Sequence, residues 1–508
     1  MFRYILIAVL LAVSASFGLA QTAVNNAQRQ DVGAATVVAR FCVLPVKNGE
    51  PTEADAGQTW RISSNNFRIP GLPGIVFTPT NRRGWWTIDA ERRLVPYVGF
   101  YPHSYLDKNK WVVEPWSSRV VAITWGGGVS VLRPGTDHFE AIEDTAWPRG
   151  GNYNSIQLLP RRQLTVVASG KGIPLIVEEN SLRPWLSKDE LAAHGIRGIF
   201  TVQEIPSLAA TVIRDFDSRI HLLTDDGRWM EIGALEKRDY GPVFEALDAD
   251  AVLVLGLKSV MLIRKNSSTP ATYSAERLLT TSANGAGMRY STSRLFHQVL
   301  IYDTGGGVFD FQSRWRRLGT HGFEDIAGGN IGAPRPNLSP YGRIQDLPTL
   351  GKTLIEGKDG LYLYDGHALT PVDGGSSARV GELPRVYDLP SIKRVVLSTR
   401  NGLFELSADG KLVERPMPFA TRGLPQAALK DWPESKVALI STRDGLFVLD
   451  DNLKASRVTN GNLVGLSFLD FANGTNPGTG EMVLTAERGL YLAIDSSRSP
   501  ESCRHAQE

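Results

Sequence analysis

One phrase recurs along this chain and constrains its fold more than any other feature. Residues 395–406 read VVLSTRNGLFEL, 437–449 read VALISTRDGLFVL, 483–492 read VLTAERGLYL and 354–364 read LIEGKDGLYLY. Each is an apolar β-run, a short polar turn ending in Gly, and a second β-run. Self-similarity at a fixed period marks a stacked repeat architecture. The turn glycines are Gly84, Gly128, Gly172, Gly227, Gly307, Gly360, Gly402, Gly445 and Gly489, and in LVLGLKSVMLI Ser259 holds the glycine position. That makes ten units in nine steps averaging 45 residues. A second marker runs in phase: Pro160, Pro348, Pro390, Pro433 and Pro477 each stand 12 residues before the glycine.

Each unit reads as four strands. Around Gly402, residues 385–389 form a short strand stopped at Pro390, which has no amide hydrogen to give a central strand. Residues 394–399 are a continuous β-branched and apolar run, as a strand buried on both faces requires. Arg400-Asn401-Gly402 is a hairpin turn, residues 403–406 are the third strand, and Ala408-Asp409-Gly410 turns into a fourth. Four antiparallel strands repeated every 40–45 residues describe a β-propeller of about ten four-stranded blades.

STRNGLF (398–404), STRDGLF (441–447), GKDGLYLYDG (357–366) and AERGLYL (486–492) give the chain a resemblance to secreted β-propeller repeat proteins. It is similar to the two-component-regulator propeller repeats and, more broadly, to quinoprotein-like propellers. The kinase or DNA-binding module of the two-component relatives has no counterpart in this sequence, so a signalling role does not carry over.

Arg3, the apolar run 5–13 and Gly18-Leu19-Ala20 have the layout of a secretory signal, with cleavage expected after Ala20. A polar, mobile tail is expected at 21–34, the propeller at 35–495 and a C-terminal tail at 496–508. The run 5–13 is too short for a permanent transmembrane anchor, and the expected location is periplasmic or secreted. A net charge of +2 speaks against nucleic acid as the main partner.

The last unit has three strands and lacks a fourth, whereas the strand-like run 35–46 precedes the first full unit. Residues 35–46 are therefore expected to complete the last blade, closing the ring and removing an exposed edge. That brings Cys42 near Cys503, the only two cysteines, in a compartment where disulfides persist. Two free thiols are the alternative.

The eight histidines are scattered, with no HExxH or H-x-H, and no G-x-S-x-G elbow occurs, so no metal, cofactor or catalytic residue is assigned. Two patterns bear on binding. Arg82, Lys171, Lys258, Lys358, Arg400, Arg443 and Arg488 lie one or two places before the turn glycine and would recur on one face as an anion-attracting ring. Read otherwise they are solvated turn residues, diluted by Asp225, Asp226, Asp359, Asp444 and Glu487. Trp85, Trp86 and Trp125 belong to a cluster of tryptophans that either packs between blades or anchors a partner. Ser187-Lys188-Asp189-Glu190 is a capping box that predicts a short protruding helix stopped at Gly195.

Three functions fit these features: an exported binding or scaffold protein holding a protein or anionic glycan; a propeller-fold polysaccharide lyase or hydrolase; and a detached sensor propeller.

Overall fold

The computed structural model describes residues 40–47, 86–96, 110–124, 128–142, 153–169, 173–235, 243–246, 251–255, 259–268, 271–280, 289–296, 298–303 and 314–319. Further along it describes 322–331, 344–357, 359–380, 385–399, 401–419, 428–442, 445–458, 468–475, 480–486, 489–500 and 503. The expected signal (1–20) and tail (21–34) lie outside these residues.

The protein is a β-propeller. Among the described residues the strands form nine four-stranded antiparallel sheets and one two-stranded ladder, Trp86–Ile88 with Leu94–Pro96, each falling in one of the units counted in the sequence. Eight sheets are meanders of consecutive strands, as in Arg385–Leu389, Arg394–Thr399, Gly402–Leu406 and Leu412–Glu414. First strands of successive sheets touch, for example Lys110–Val113 with Tyr153–Leu159, and Arg385–Leu389 with Ala428–Trp432. The second and third strands, buried on both faces, are the uninterrupted apolar runs of the sequence, such as Val437–Thr442 and Gly445–Leu449.

The remaining sheet is assembled from both ends of the strand series. Phe41–Pro45 pairs antiparallel with Gly489–Asp495, from Phe41 opposite Asp495 to Pro45 opposite Tyr491, as expected for ring closure. Cys42 is bonded to Cys503, with Cα atoms 5.8 Å apart across a sequence separation of 461. Phe41 also packs on the buried Trp432 of the preceding sheet, their ring centroids 5.6 Å apart. On the other side Lys47 bridges to Arg93, its amide donating to the Arg92 carbonyl at 2.9 Å. Residues 41–47 thus tie the last sheet to both neighbours.

Apolar clusters fill the spaces between sheets. Eight of them join neighbours: second to third, third to fourth, fourth to fifth, four successive junctions from sixth to tenth, and tenth back to first. At about 25 cal/mol per Å² of apolar surface removed from water, these interfaces are the main source of cohesion between sheets.

The phased prolines do more than end a strand. Pro160, Pro348, Pro390 and Pro433, and with them Pro206, each open a single 3-10 turn, whose fourth residue sits in the left-handed region and donates its amide to the proline carbonyl, while Pro477 lies outside the described residues. Two positions before the proline, an acid reaches across to the preceding sheet. Asp388 Oδ2 accepts from the Thr349 amide at 3.3 Å, Asp431 Oδ1 from the Ser391 amide at 3.1 Å, and Glu204 Oε2 from the Arg161 amide at 2.9 Å. The donor is in every case the residue after the preceding sheet's proline. This clasp recurs because the proline fixes φ and leaves the next amide unpaired at the start of its turn.

One phasing expectation is corrected. Gly227 (φ 85) lies in the hairpin between the third and fourth strands, Arg219–Thr224 and Trp229–Ala234. The turn between second and third strands of that sheet is Phe216-Asp217-Ser218, and Ser218, at φ 65 and twelve residues past Pro206, holds the glycine place. Ser259 opens its third strand, as expected.

Candidate binding face

Strand direction sorts the turns. First strands begin, second strands end and third strands begin at one edge of each sheet, so the second-to-third turns and the inter-sheet connections share a face of the propeller. The 3-10 turns and the hairpins before the fourth strands share the other.

Six of the seven basic candidates stand in sequence between a second and a third strand: Lys171 between Leu164–Ser169 and Pro174–Val177, Lys258 between Ala251–Leu255 and Ser259–Ser268, Lys358 between Lys352–Glu356 and Gly360–Tyr364. Arg400, Arg443 and Arg488 likewise precede third strands that open at Gly402, Gly445 and Gly489. These six residues, with Arg82, Trp85 and Trp125, lie outside the described residues. Trp86 is described: it is half-buried and packs against the cluster joining the last sheet to the first.

The turn around Arg400 is built by its neighbours. Thr399 Oγ1 accepts from the amides of Asn401 and Gly402, at 3.0 and 3.1 Å, and donates to the Gly402 carbonyl. Gly402 (φ 146) and Gly445 (φ 127) adopt backbone angles that side-chain-bearing residues seldom reach, which accounts for glycine there. Thr442 repeats the bond to the Gly445 carbonyl.

The short helix Lys188–Ala193 stands on the same face, between third and fourth sheets. Ser187 Oγ accepts from the Glu190 amide at 3.1 Å and Glu190 Oε2 from the Ser187 amide at 2.7 Å, completing the capping box. Leu191 anchors the helix in the inter-sheet cluster, and His194 stacks on Trp229 at 4.8 Å. Gly195 ends it at φ 67 and its carbonyl accepts from Arg219.

Arg219 in turn is held by buried Asp215: its amide and Nε donate to the two carboxylate oxygens, each at 2.8 Å, and His221 Nε2 lies 3.2 Å from Oδ2. Burial alone would raise the Asp215 pKa, but the hydrogen bonds from His221 and Arg219 outweigh it and hold the carboxyl below its ordinary range. This network fastens the helix exit to the 216–218 turn; Asp215 and His221, both buried, face one another and not solvent.

Between helix and third sheet runs a groove of about 490 Å³, floored by Ile173, Leu191, Ala192 and Ile196 and rimmed by Lys188 and Arg197. Phe200 and Phe216, on the segments that follow Arg197 and pair with Gly198, stand exposed, 38% and 41% accessible. The Phe216 amide donates to the Gly198 carbonyl at 3.0 Å, and Arg197 lies 3.8 Å from Asp217. The capping box made the helix legible; the groove and the aromatic pair were not, because they depend on which turns the topology brings together.

Among the described residues no group of three or more His, Cys, Asp or Glu could hold a metal ion, and no helix is long and apolar enough to cross a membrane. No protein-family description matches the chain, and no curated protein does. Solved structures similar to it include the extracellular domain of a protein described as a hybrid two-component system from B. thetaiotaomicron, at 12% identity and a TM-score of 0.30, covering 90% of this chain and 70% of that one. PorZ, a surface component of the type-IX secretion system of Porphyromonas gingivalis, is similar at 10% identity and a TM-score of 0.30, covering 88% and 64%. The C-terminal WD40 domain of Sif2 is similar at 9% identity and a TM-score of 0.30, covering 76% and 94%. The fold assignment rests on the sheets of this chain and not on these likenesses.

Proposed function

We propose that the chain is an exported, non-enzymatic β-propeller that holds a protein or an anionic glycan on the face carrying its second-to-third turns. One observation carries this reading: in six of the nine four-stranded sheets among the described residues, the sequence between second and third strands bears a basic residue, and that connection is always at the same edge of its sheet. Repetition around the propeller multiplies a single Lys or Arg into a field, and attraction of that kind steers anionic partners. The Cys42–Cys503 bond suits an oxidising compartment, as does the signal-like N-terminus.

The test is a double reversal, Arg400→Glu with Arg443→Glu, in adjacent and well-matched units. Partners retained from periplasmic extract by the immobilised chain, and hits on a glycan array, are measured for both proteins across salt. Weaker binding with a flatter salt dependence is expected, because a charge-steered contact is screened over about 8–10 Å at physiological ionic strength. Unchanged affinity and an unchanged salt slope would overturn the reading.

A further inference from the structure

We propose that the groove between the helix Lys188–Ala193 and the third sheet is a docking site for a protein partner, and that it takes an extended segment with apolar side chains flanked by carboxylates. This rests on the functional reading above, whose face it shares. Three observations converge. The floor is apolar, with Leu191 and Ile196 held rigid in the core and Ala192 exposed above them. The rim cations Lys188 and Arg197 are exposed, Arg197 to 83% at its side chain, so charge surrounds an apolar centre. Phe200, Phe216 and Val413 are the large apolar side chains standing exposed among the described residues; Phe200 follows Arg197 by three residues, and Phe216 is tied through its amide to the Gly198 carbonyl next to Arg197.

An apolar anchor ringed by polar contacts is how protein segments dock. The volume is that of a site for one or two large side chains, pockets for small ligands being roughly 300–1,000 Å³. A carboxylated glycan would find cations here but a floor of aliphatic carbons that offers its hydroxyls nothing, so peptide is favoured. The walls are set before binding: the capping box, the His194–Trp229 stack and the Asp215–Arg219 bonds fix helix and turn, which lowers the ordering cost of association.

Three fluorescein-labelled probes test this on the full chain: a decapeptide pool randomised over Leu, Phe, Asp and Glu, a pool randomised over Leu, Phe, Lys and Arg, and polygalacturonate. Binding is read by anisotropy. The acidic-apolar pool should bind, and the basic pool should bind at least about tenfold more weakly. Lys188→Glu with Arg197→Glu, and separately Ala192→Trp as a plug, should each weaken the acidic pool by about tenfold or more. All three positions are exposed, so melting curves should be unchanged.

Equal binding of the acidic pool by all variants, or none, overturns the groove. Binding of polygalacturonate alone, lost in Arg400→Glu with Arg443→Glu but not in the groove variants, overturns the groove while the face reading stands. Insensitivity to every variant overturns both.

Discussion

Asp495 shows how one carboxylate can secure a closing strand. It is buried opposite Phe41, and Arg40 Nε donates to its Oδ1 at 3.0 Å while the same guanidinium reaches the Ser435 carbonyl of the neighbouring sheet at 3.2 Å. Burial pushes its pKa up, yet bonds from Arg40 and Ser497 prevail and hold it at about 2. A carboxyl depressed in the folded state stabilises above its unfolded pKa, near 3.8, and that stability is lost as pH falls through 2. Asp495→Asn should therefore cost on the order of 1–2 kcal/mol at pH 6 and progressively less between pH 4 and 2. Urea midpoints at pH 6 and pH 2 measure this, and a pH-independent deficit would count against it. At this scale the sequence is partly legible: a serine can occupy a left-handed turn position, so glycine alone misphased the fourth unit, whereas counting twelve from Pro206 finds Ser218.

The recurring element is the 3-10 turn with its clasp. QEIP, QDLP, YDLP and KDWP carry the acid at the same offset, a signal present in the sequence but read only for its proline. The reason is physical: the acid's partner is an amide some forty residues upstream, which no local pattern announces. Asp431 also receives the Ser391 hydroxyl at 2.6 Å, and burial, aided by repulsion from Asp388, raises its pKa despite these bonds. Asp388→Ala should leave the half-buried Thr349 amide without its acceptor and lower stability by about 1 kcal/mol. Asp431→Ala should cost less at neutral pH than Asp388→Ala, since it also relieves an ionised carboxylate that burial disfavours. Chemical denaturation of the two variants decides the order, and equal losses would refute it.

For the molecule as a whole, closure was legible because a strand without a home and an edge without a partner are both visible in the sequence. The binding face was legible only as a spacing of charges, since which turns become neighbours is a property of the fold. The Cys42–Cys503 bond restrains nearly the whole unfolded chain, and the chain-entropy model gives it a stabilisation on the order of 5–6 kcal/mol. Cys42→Ser should lower the melting temperature and leave the far-ultraviolet dichroism unchanged; an unaltered melting curve would remove the bond's role. Closure also has a direction in time. Residues 41–45 must pair with 491–495, which are made some 450 residues later. At synthesis rates of about 5–20 residues per second, that interval is roughly 25–90 seconds. Throughout it the strand 489–495 does not yet exist, and the apolar run at 41–45 waits without its partner. A chain that closes head to tail is thus committed to late completion, and its most exposed moment comes before its last strand is made.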